Sequence, residues 1–404
     1  MTARGEEKVV RRSVGTPTHP AVLQGGFRPF FFAGAVWAVV ALALWLFALT
    51  GGLQLPSAFS ALAWHLHEIL FGSVGAAVAG FLLTAIPNWT GRPPLAGKPL
   101  ALLFGIWLAA RLALMWSGFV GLGVAATLDI GFYLALAVVA AREVLVARNR
   151  NLPVVGLIFL FGLANALDYA GFSGVIEDTE AGFRAAIALV VTMISLIGGR
   201  IVPTFTRNWM VKRSWTRRLP VQSNRFDLAT MASTALALLG WVLAPAAVIT
   251  GMLLIIAGLL QLARVARWAG WRTLSDPLVA ILHLAYLWIP TGLLLLAASI
   301  LDSAIPRTAA IHALTAGAMA TMILAVMTRA TLGHTGRELR ASPATVVLYL
   351  LVTVGAIVRV AAALGLIPYR LGLDTAATCW GGAFVVFLVA YGPYLLRPRV
   401  RDSG

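Results

Sequence analysis

Twelve apolar runs, each long enough to cross a bilayer, follow one another along the chain with little sequence between them. The hydrocarbon core of a bilayer, about 30 Å thick, needs roughly 20 apolar residues in a helix. Runs of that length lie near 29–50, 62–88, 98–117, 120–141, 152–173, 183–203, 226–244, 246–263, 277–301, 308–331, 343–366 and 374–396. The sequence therefore predicts an all-α polytopic membrane protein with twelve transmembrane helices.

The Lys and Arg residues predict the orientation, because short cytoplasmic connections are enriched in them. Of the 31 in the sequence, 26 fall on one side of the alternating connections and three, Arg184, Arg307 and Arg370, on the other. Both termini are therefore predicted to be cytoplasmic, with tails at 1–26 and 398–404 around one transmembrane domain at 27–397. Residues 1–26 contain no A-x-A cleavage site, so we expect the first span to be retained.

Composition supports the membrane class and excludes several kinds of site. The chain is 60% hydrophobic and 11% charged, whereas a soluble domain carries about 25% charged residues. The net charge of +16 resides in the connections, so we expect a lipid bilayer as partner and no nucleic acid. The single cysteine, Cys379, excludes an intramolecular disulfide, a multi-cysteine metal site and a C-x-x-C-H attachment. Any haem would therefore be held non-covalently.

The second, sixth and tenth spans resemble one another. Segments 67–92 and 312–337 align without a gap, so that His67 meets His312 and the Thr-Gly-Arg ending at Arg92 meets the one ending at Arg337. Segment 183–208 aligns with both and puts Phe183 at the position of the two histidines. This pattern predicts three four-helix repeats at about 27–141, 152–263 and 277–396. A central connection at 204–225 leaves a second arrangement open, in which two six-helix halves face each other.

Ionisable side chains inside spans are costly and usually face a cavity or a partner. Here they are His65, His67, Glu68, Arg111, Asp129, Asp168, His283, His312 and Arg359. All except His283 lie in the predicted outer half of the membrane, which indicates a polar cavity nearer that face. Two structural ion pairs, Asp129 with Arg111 and Asp168 with Arg359, are the alternative explanation for the carboxylates and arginines.

Two of these histidines are candidates for a haem site. His67 and His312 lie at matching depth on different helices, as axial ligation by two imidazoles requires. His65 and His67 are roughly 200° apart around a helix, so they cannot both face one metal. His65 therefore stays open as the ligand in place of His67, and Glu68 could orient His65 from the next turn.

A second polar set lies at the predicted inner ends of the spans. It contains Arg28, Arg92, Arg200, Arg329 and Arg337, together with His19, His283 and His334. The positive-inside rule explains most of the arginines, although they are also candidates for cofactor binding. It does not explain the three histidines, which could form a copper or haem site, since imidazole suits both metals.

Several segments resemble the NnrS family. They are His19-Pro20, Gly26 to Phe31, Trp64 to Glu68, Gly80 to Gly91 (GFLLTAIPNWTG), Gly198 to Asn208, and His312 to Arg337. The resemblance runs from about residue 19 to 395. It implies a bacterial inner-membrane protein that contains haem and copper and is associated with denitrification and resistance to nitric oxide.

The predicted architecture also resembles the haem–copper oxidases and nitric oxide reductases. In that fold, too, twelve helices form three groups of four, and the second and tenth helices ligate the low-spin haem. This chain departs from the pattern because its sixth and seventh spans have no histidine, so the usual three-histidine copper site is absent.

The leading hypothesis is a membrane protein with b-type haem and copper that binds, reduces or protects against nitric oxide. Its electron donor, its product and any catalytic residues stay unassigned, and a sensor or assembly factor without turnover fits the same residues. The alternative from another class is a twelve-helix secondary transporter or metal permease without redox chemistry. An optical spectrum of the purified protein would separate the two classes.

Overall fold

The computed structural model describes residues 19–215 and 217–400, and these residues form helices and connections without a β-strand among them. Twelve of the described helices are long and apolar enough to cross a membrane, which confirms the predicted fold class of a multi-pass membrane protein. Most of the predicted cytoplasmic tail at 1–26, including Arg4, Lys8, Arg11 and Arg12, lies outside the described residues, as does Arg401.

The transmembrane helices are numbered in chain order. They are α1 (Phe27–Leu49), α2 (Ala61–Thr90), α3 (Lys98–Met115), α4 (Leu122–Val146), α5 (Leu152–Phe172), α6 (Ala181–Lys212), α7 (Arg225–Leu243), α8 (Val248–Ala266), α9 (Pro277–Leu301), α10 (Arg307–His334), α11 (Pro343–Ala363) and α12 (Tyr369–Leu396). Most bounds fall within a few residues of the predicted spans, and α9 matches its span at both ends.

The largest difference lies at the end of α6, which continues to Lys212 instead of ending near residue 203. Pro203 lies inside this helix, because a helix packed among neighbours tolerates the backbone group that proline leaves unpaired. The connection predicted at 204–225 therefore shrinks to residues 213–224. We call the end of the bundle that carries this connection the basic end, and the end where α2 and α10 begin the opposite end.

Several helices start where a side chain caps the first turn. Asn224 and Asp227 form a capping box at the start of α7, and Asp276 caps α9 through the amide of Leu278. At the opposite end the Ser60 hydroxyl accepts the amide of Ala63 at the start of α2, at 3.3 Å. Each cap satisfies an amide that has no partner within the helix.

Helices α2, α6 and α10 contact one another at the centre of the bundle. The first helix of each predicted repeat contacts the second helix of its own repeat and also the preceding repeat. In this way α1 packs on α2 and on α10 and α12, and α5 packs on α6 and on α4. Likewise α9 packs on α10 and on α6 and α8. Side chains join α5 to α2 as well, since the rings of Phe71 and Phe161 lie 5.1 Å apart. This cyclic order is the one that three repeats around α2, α6 and α10 would produce, and the repeats themselves stay a prediction.

Two π-helical segments interrupt α2 and α10 at equivalent positions. They span Glu68–Val74 and Ala313–Met319, so each begins directly after the aligned histidine, His67 or His312. A π-segment loosens the regular ladder of backbone hydrogen bonds and often marks a functional site. In α2 the segment's carbonyls accept side-chain donors, namely the Tyr133 hydroxyl at Phe71 and the Trp107 indole at Gly72.

Candidate functional site

A group of five charged or titratable side chains fills the space between α2, α3, α4 and α5 near the opposite end. This His67 cluster consists of His67, Glu68, Arg111, Asp129 and Asp168. The two ring nitrogens of His67 lie 2.8 Å from Asp129 Oδ2 and 2.7 Å from Asp168 Oδ2. Arg111 donates to Asp129 and, at 2.8 Å, to Glu68 Oε2. The first four side chains are fully buried, and Asp168 is 15% exposed.

Neighbouring donors complete the His67 cluster. The indole nitrogen of Trp37 donates to Glu68 Oε2 at 2.5 Å, and the Asn165 amide and Tyr169 hydroxyl donate to Asp129 Oδ2 at 3.1 and 3.3 Å. Buried ion pairs persist when such additional hydrogen bonds satisfy the carboxylates. The cluster therefore fastens α2 to the helices on one side of it.

The predicted ion pairs are half right. Arg111 does pair with Asp129, but Asp168 pairs with His67 and not with Arg359. Glu68 was expected to orient His65, and this is wrong as well, because its carboxylate faces Arg111 and Trp37 on the other side of α2. The helical offset between residues 65 and 68 is close to one turn, but the π-segment that begins at Glu68 changes the direction in which its side chains point.

A cavity of about 140 Å³ lies on the other side of α2, between α1, α2, α10, α11 and α12. We call it the histidine cavity, because His65 and His312 both line it. Its walls are otherwise mainly apolar, with Trp45 from α1, and its charged lining residue is Arg359 from α11. His67 does not line it. The imidazole that shares a cavity with His312 is thus that of His65, and the predicted pairing of His67 with His312 is replaced.

The two histidines of the cavity are held differently. Nδ1 of His312 lies 2.7 Å from the carbonyl oxygen of Thr308, one turn earlier in α10. The ring of His65 stacks on Trp45 with centroids 4.1 Å apart, and its buried Nδ1 has no hydrogen-bond partner in the described part of the chain. His312 is therefore oriented by a hydrogen bond, whereas His65 is oriented by stacking.

Arg359 differs from Arg111 because no carboxylate of the described residues pairs with it. Among residues 19–215 and 217–400 its Nη1 has no hydrogen-bond partner, and its guanidinium carbon lies 5.5 Å from the centre of the Tyr369 ring. A guanidinium recognises carboxylate and phosphate groups through its fork of donors. The cavity therefore offers a cation to an anionic group.

Comparison with known families supports the resemblance seen in the sequence. The family profile described as NnrS protein matches residues 21–399, which is nearly the whole chain. The chain belongs to the NnrS family. A search of curated proteins gave no match. The match covers α1 to α12, so both the His67 cluster and the histidine cavity lie within the part that defines an NnrS protein.

The predicted three-histidine site at the basic end is wrong for this NnrS chain. His283 lies 2.7 Å from the Thr206 hydroxyl and packs on Trp268, whereas His334 packs on Phe27 with ring centroids 5.5 Å apart. His19 lies against Gly97. Within the described residues, no group of three or more His, Cys, Asp or Glu side chains could hold a metal ion. Each histidine instead packs against its own neighbours.

The five arginines of the basic end also have protein partners. Arg28 is buried and donates to the carbonyls of Tyr394, Leu395 and Arg397, where it closes the end of α12. The others lie against single groups: Arg92 on Glu143, Arg200 on Asn151, Arg329 on the Phe205 ring and Arg337 on the Tyr394 ring. These contacts give the arginines structural roles that need no cofactor.

Two contributors to the cavity carried little sequence signal. Trp45 is one of thirteen tryptophans, and nothing in its spacing sets it apart. Thr308 acts through its backbone carbonyl, which no side-chain pattern can reveal. Arg359 did carry a signal, since an arginine inside a span is rare, but its partner was wrongly assigned.

Proposed function

We propose that this NnrS-family protein holds a non-covalent b-type haem in the histidine cavity, between His65 and His312, and binds nitric oxide there. The observation that carries the proposal is that two imidazoles without carboxylate partners line one largely apolar cavity. Family membership supports the link to nitric oxide. When bound, haem iron would supply the site at which the gas binds.

The donor set fits such a group. With its Nδ1 proton donated to Thr308, His312 carries its lone pair on Nε2, and a ligating histidine commonly has this arrangement. The unpartnered Nη1 of Arg359 would pair with a haem propionate. The apolar walls would exclude water from the porphyrin, as haem pockets require.

His65 and His312 would have different roles in holding the haem. His312 is oriented by its hydrogen bond to Thr308, so it would be the permanent ligand. His65 is held by stacking on Trp45, and its Nδ1 has no described hydrogen-bond partner, so it would hold the haem less firmly than His312.

The His67 cluster would act as a positioning element. His67 and His65 face opposite sides of α2, since they are two residues apart. Bonds from His67 to Asp129 and Asp168 therefore fix the rotation of α2. That rotation directs His65 into the cavity.

Copper remains a proposal drawn from the family. The described residues bring together no set of three or more His, Cys, Asp and Glu ligands, so we assign copper no residues and derive no step through it. The electron donor and the product of any turnover are likewise unassigned.

We further propose that the protein resides in the bacterial inner membrane with both termini cytoplasmic. The charge asymmetry of the connections supports this orientation. A periplasmic reporter fused after residue 55, 178 or 305 should be active, and one fused after 148, 215, 270 or 338 should be silent. The reverse pattern would contradict the orientation.

Optical spectra of the purified protein test the haem proposal. We expect Soret and α-bands of a six-coordinate b-type haem, with one haem per chain by pyridine haemochrome assay. His312→Ala should lose the haem, whereas His65→Ala should retain it with a high-spin spectrum and bind nitric oxide faster.

His283→Ala is the matched control, because His283 lies at the basic end, away from the cavity, and it should leave the spectrum unchanged. Wild-type protein without a Soret band, from haem-supplied cells, would overturn the proposal and favour the permease. An unchanged spectrum in His312→Ala would refute the ligand assignment.

A further inference from the structure

A second cavity of about 90 Å³ lies between α1, α2, α5, α6 and α10. We call it the apolar cavity, because every side chain that lines it belongs to Phe, Val, Ala, Leu, Ile, Met or Gly. None of these side chains carries an oxygen or nitrogen atom. The cavity is therefore a polar-free space at the centre of the three helices α2, α6 and α10.

The apolar cavity adjoins the histidine cavity. Four residues, Val74 and Ala77 from α2 and Ile323 and Met327 from α10, line both. A small apolar molecule can cross a wall made of these apolar side chains when Ile323 or Met327 changes rotamer, because side chains in a packed interior also change rotamers. An ion or a sugar would lose its hydration at the same wall without compensation.

Size and chemistry together restrict the occupant. Roughly 10–15 Å³ is enough for one water molecule, so about 90 Å³ leaves room for several small molecules. A buried water needs two to four polar partners, which this lining does not provide. Apolar cavities of comparable size in other proteins stay dry and bind xenon.

We propose that the apolar cavity binds small, uncharged, apolar gases and passes them to the histidine cavity across the wall of Val74, Ala77, Ile323 and Met327. The identity of the natural gas as nitric oxide rests on the proposed function. The binding of gas does not, because xenon needs neither haem nor redox chemistry.

Xenon-129 NMR of the full chain in nanodiscs tests this, with empty nanodiscs as the lipid baseline. Wild-type protein should give a bound-xenon resonance apart from the lipid signal. Ile197→Phe should abolish it, since Ile197 is half-buried and lines the cavity. Ile256→Phe is the matched control. It makes the same substitution at a side chain on α8 that is 51% exposed and does not line the cavity, so this variant should keep the resonance.

Ile197→Ala provides a second variant in case the larger side chain impairs folding, and it should increase xenon occupancy. Absence of a bound-xenon resonance in wild-type protein would overturn the proposal. So would a resonance that Ile197→Phe leaves intact. If the chain contains no haem but binds xenon in this pattern, the proposed haem is refuted and the gas site is supported. If it contains haem but binds no xenon, the gas site is refuted and the proposed haem is not.

Discussion

The His67 cluster and the histidine cavity lie in similar surroundings. The cluster lies between α2 and the three helices that follow it, and the cavity lies between α10, the two helices that follow it, α1 and α2. Each contains the histidine that precedes a π-segment, and each receives an arginine from the next helix, Arg111 or Arg359. The cluster adds three carboxylates, whereas apolar side chains line most of the cavity. The carboxylates of the cluster pair with its own histidine and arginine, whereas Arg359 in the cavity has no described carboxylate partner.

The comparison also explains why the aligned histidines do not line the same cavity. Residues related by rotation in a cyclic arrangement lie in separate, equivalent interfaces and need not face each other. His67 and His312 accordingly point into different spaces. The histidine that lines the same cavity as His312 is His65, which lies on the other side of α2 from His67.

The largest expected effect distinguishes the two arginines. Arg111→Met leaves Glu68 and Asp129 without their buried cation, and breaking such a pair costs about 3–5 kcal/mol. Arg359→Met removes no described ion pair and loses a contact with the Tyr369 ring, so it should cost only about 0.5–1 kcal/mol. Unfolding in detergent measures both. Equal losses in the two variants would contradict the contrast.

A smaller effect is expected from making the cavity resemble the cluster. Ala377→Asp places a carboxylate in the histidine cavity, where it can pair with Arg359 and compete with an anionic guest. We expect haem affinity to fall about tenfold, which corresponds to about 1.4 kcal/mol. Haem titration of the apoprotein measures this, and Ala377→Asn controls for size. Equal affinity in the Asp and Asn variants would count against a role for Arg359.

A third contrast concerns two tryptophans that lie over glycines. Trp37 packs on Gly72 and donates to Glu68, whereas Trp288 packs on Gly317 and its indole nitrogen has no described partner. Trp37→Phe should cost about 1.5–3 kcal/mol, as loss of a hydrogen bond to a charged group does. Trp288→Phe should cost clearly less. Thermal midpoints of the two variants provide the test, and a larger loss for Trp288→Phe would invert the comparison.

Sequence reasoning could predict the helices because the signal for a span is local. Length and apolar content fix each span whatever its neighbours are. The end of α6 could not be predicted the same way, because Pro203 ends a helix in isolation but not one supported by packing. The confirmed pair of Arg111 and Asp129 also followed from depth alone.

The site could be predicted only in part, because its direction depends on distant contacts. The sequence limits the candidate ligand on α2 to His65 or His67, which face opposite sides. The choice between them depends on Asp129 and Asp168, carried by α4 and α5. The predicted pair of Asp168 and Arg359 rested on their similar depth in the membrane. Depth does not tell which way a side chain points around its helix, so this assignment was wrong.

The π-segments have a consequence for comparing this chain with its relatives. A single residue added to an α-helix turns everything beyond it by about 100° relative to everything before it. In both α2 and α10 the π-segment separates the histidine at one end from the Thr-Gly-Arg motif at the other. The two ends of each helix are therefore rotated relative to each other. In a relative with one residue fewer between positions 68 and 74, the motifs would still align, but the histidine would face a different neighbour. A single-residue gap there would separate homologues that keep this pocket from those that do not.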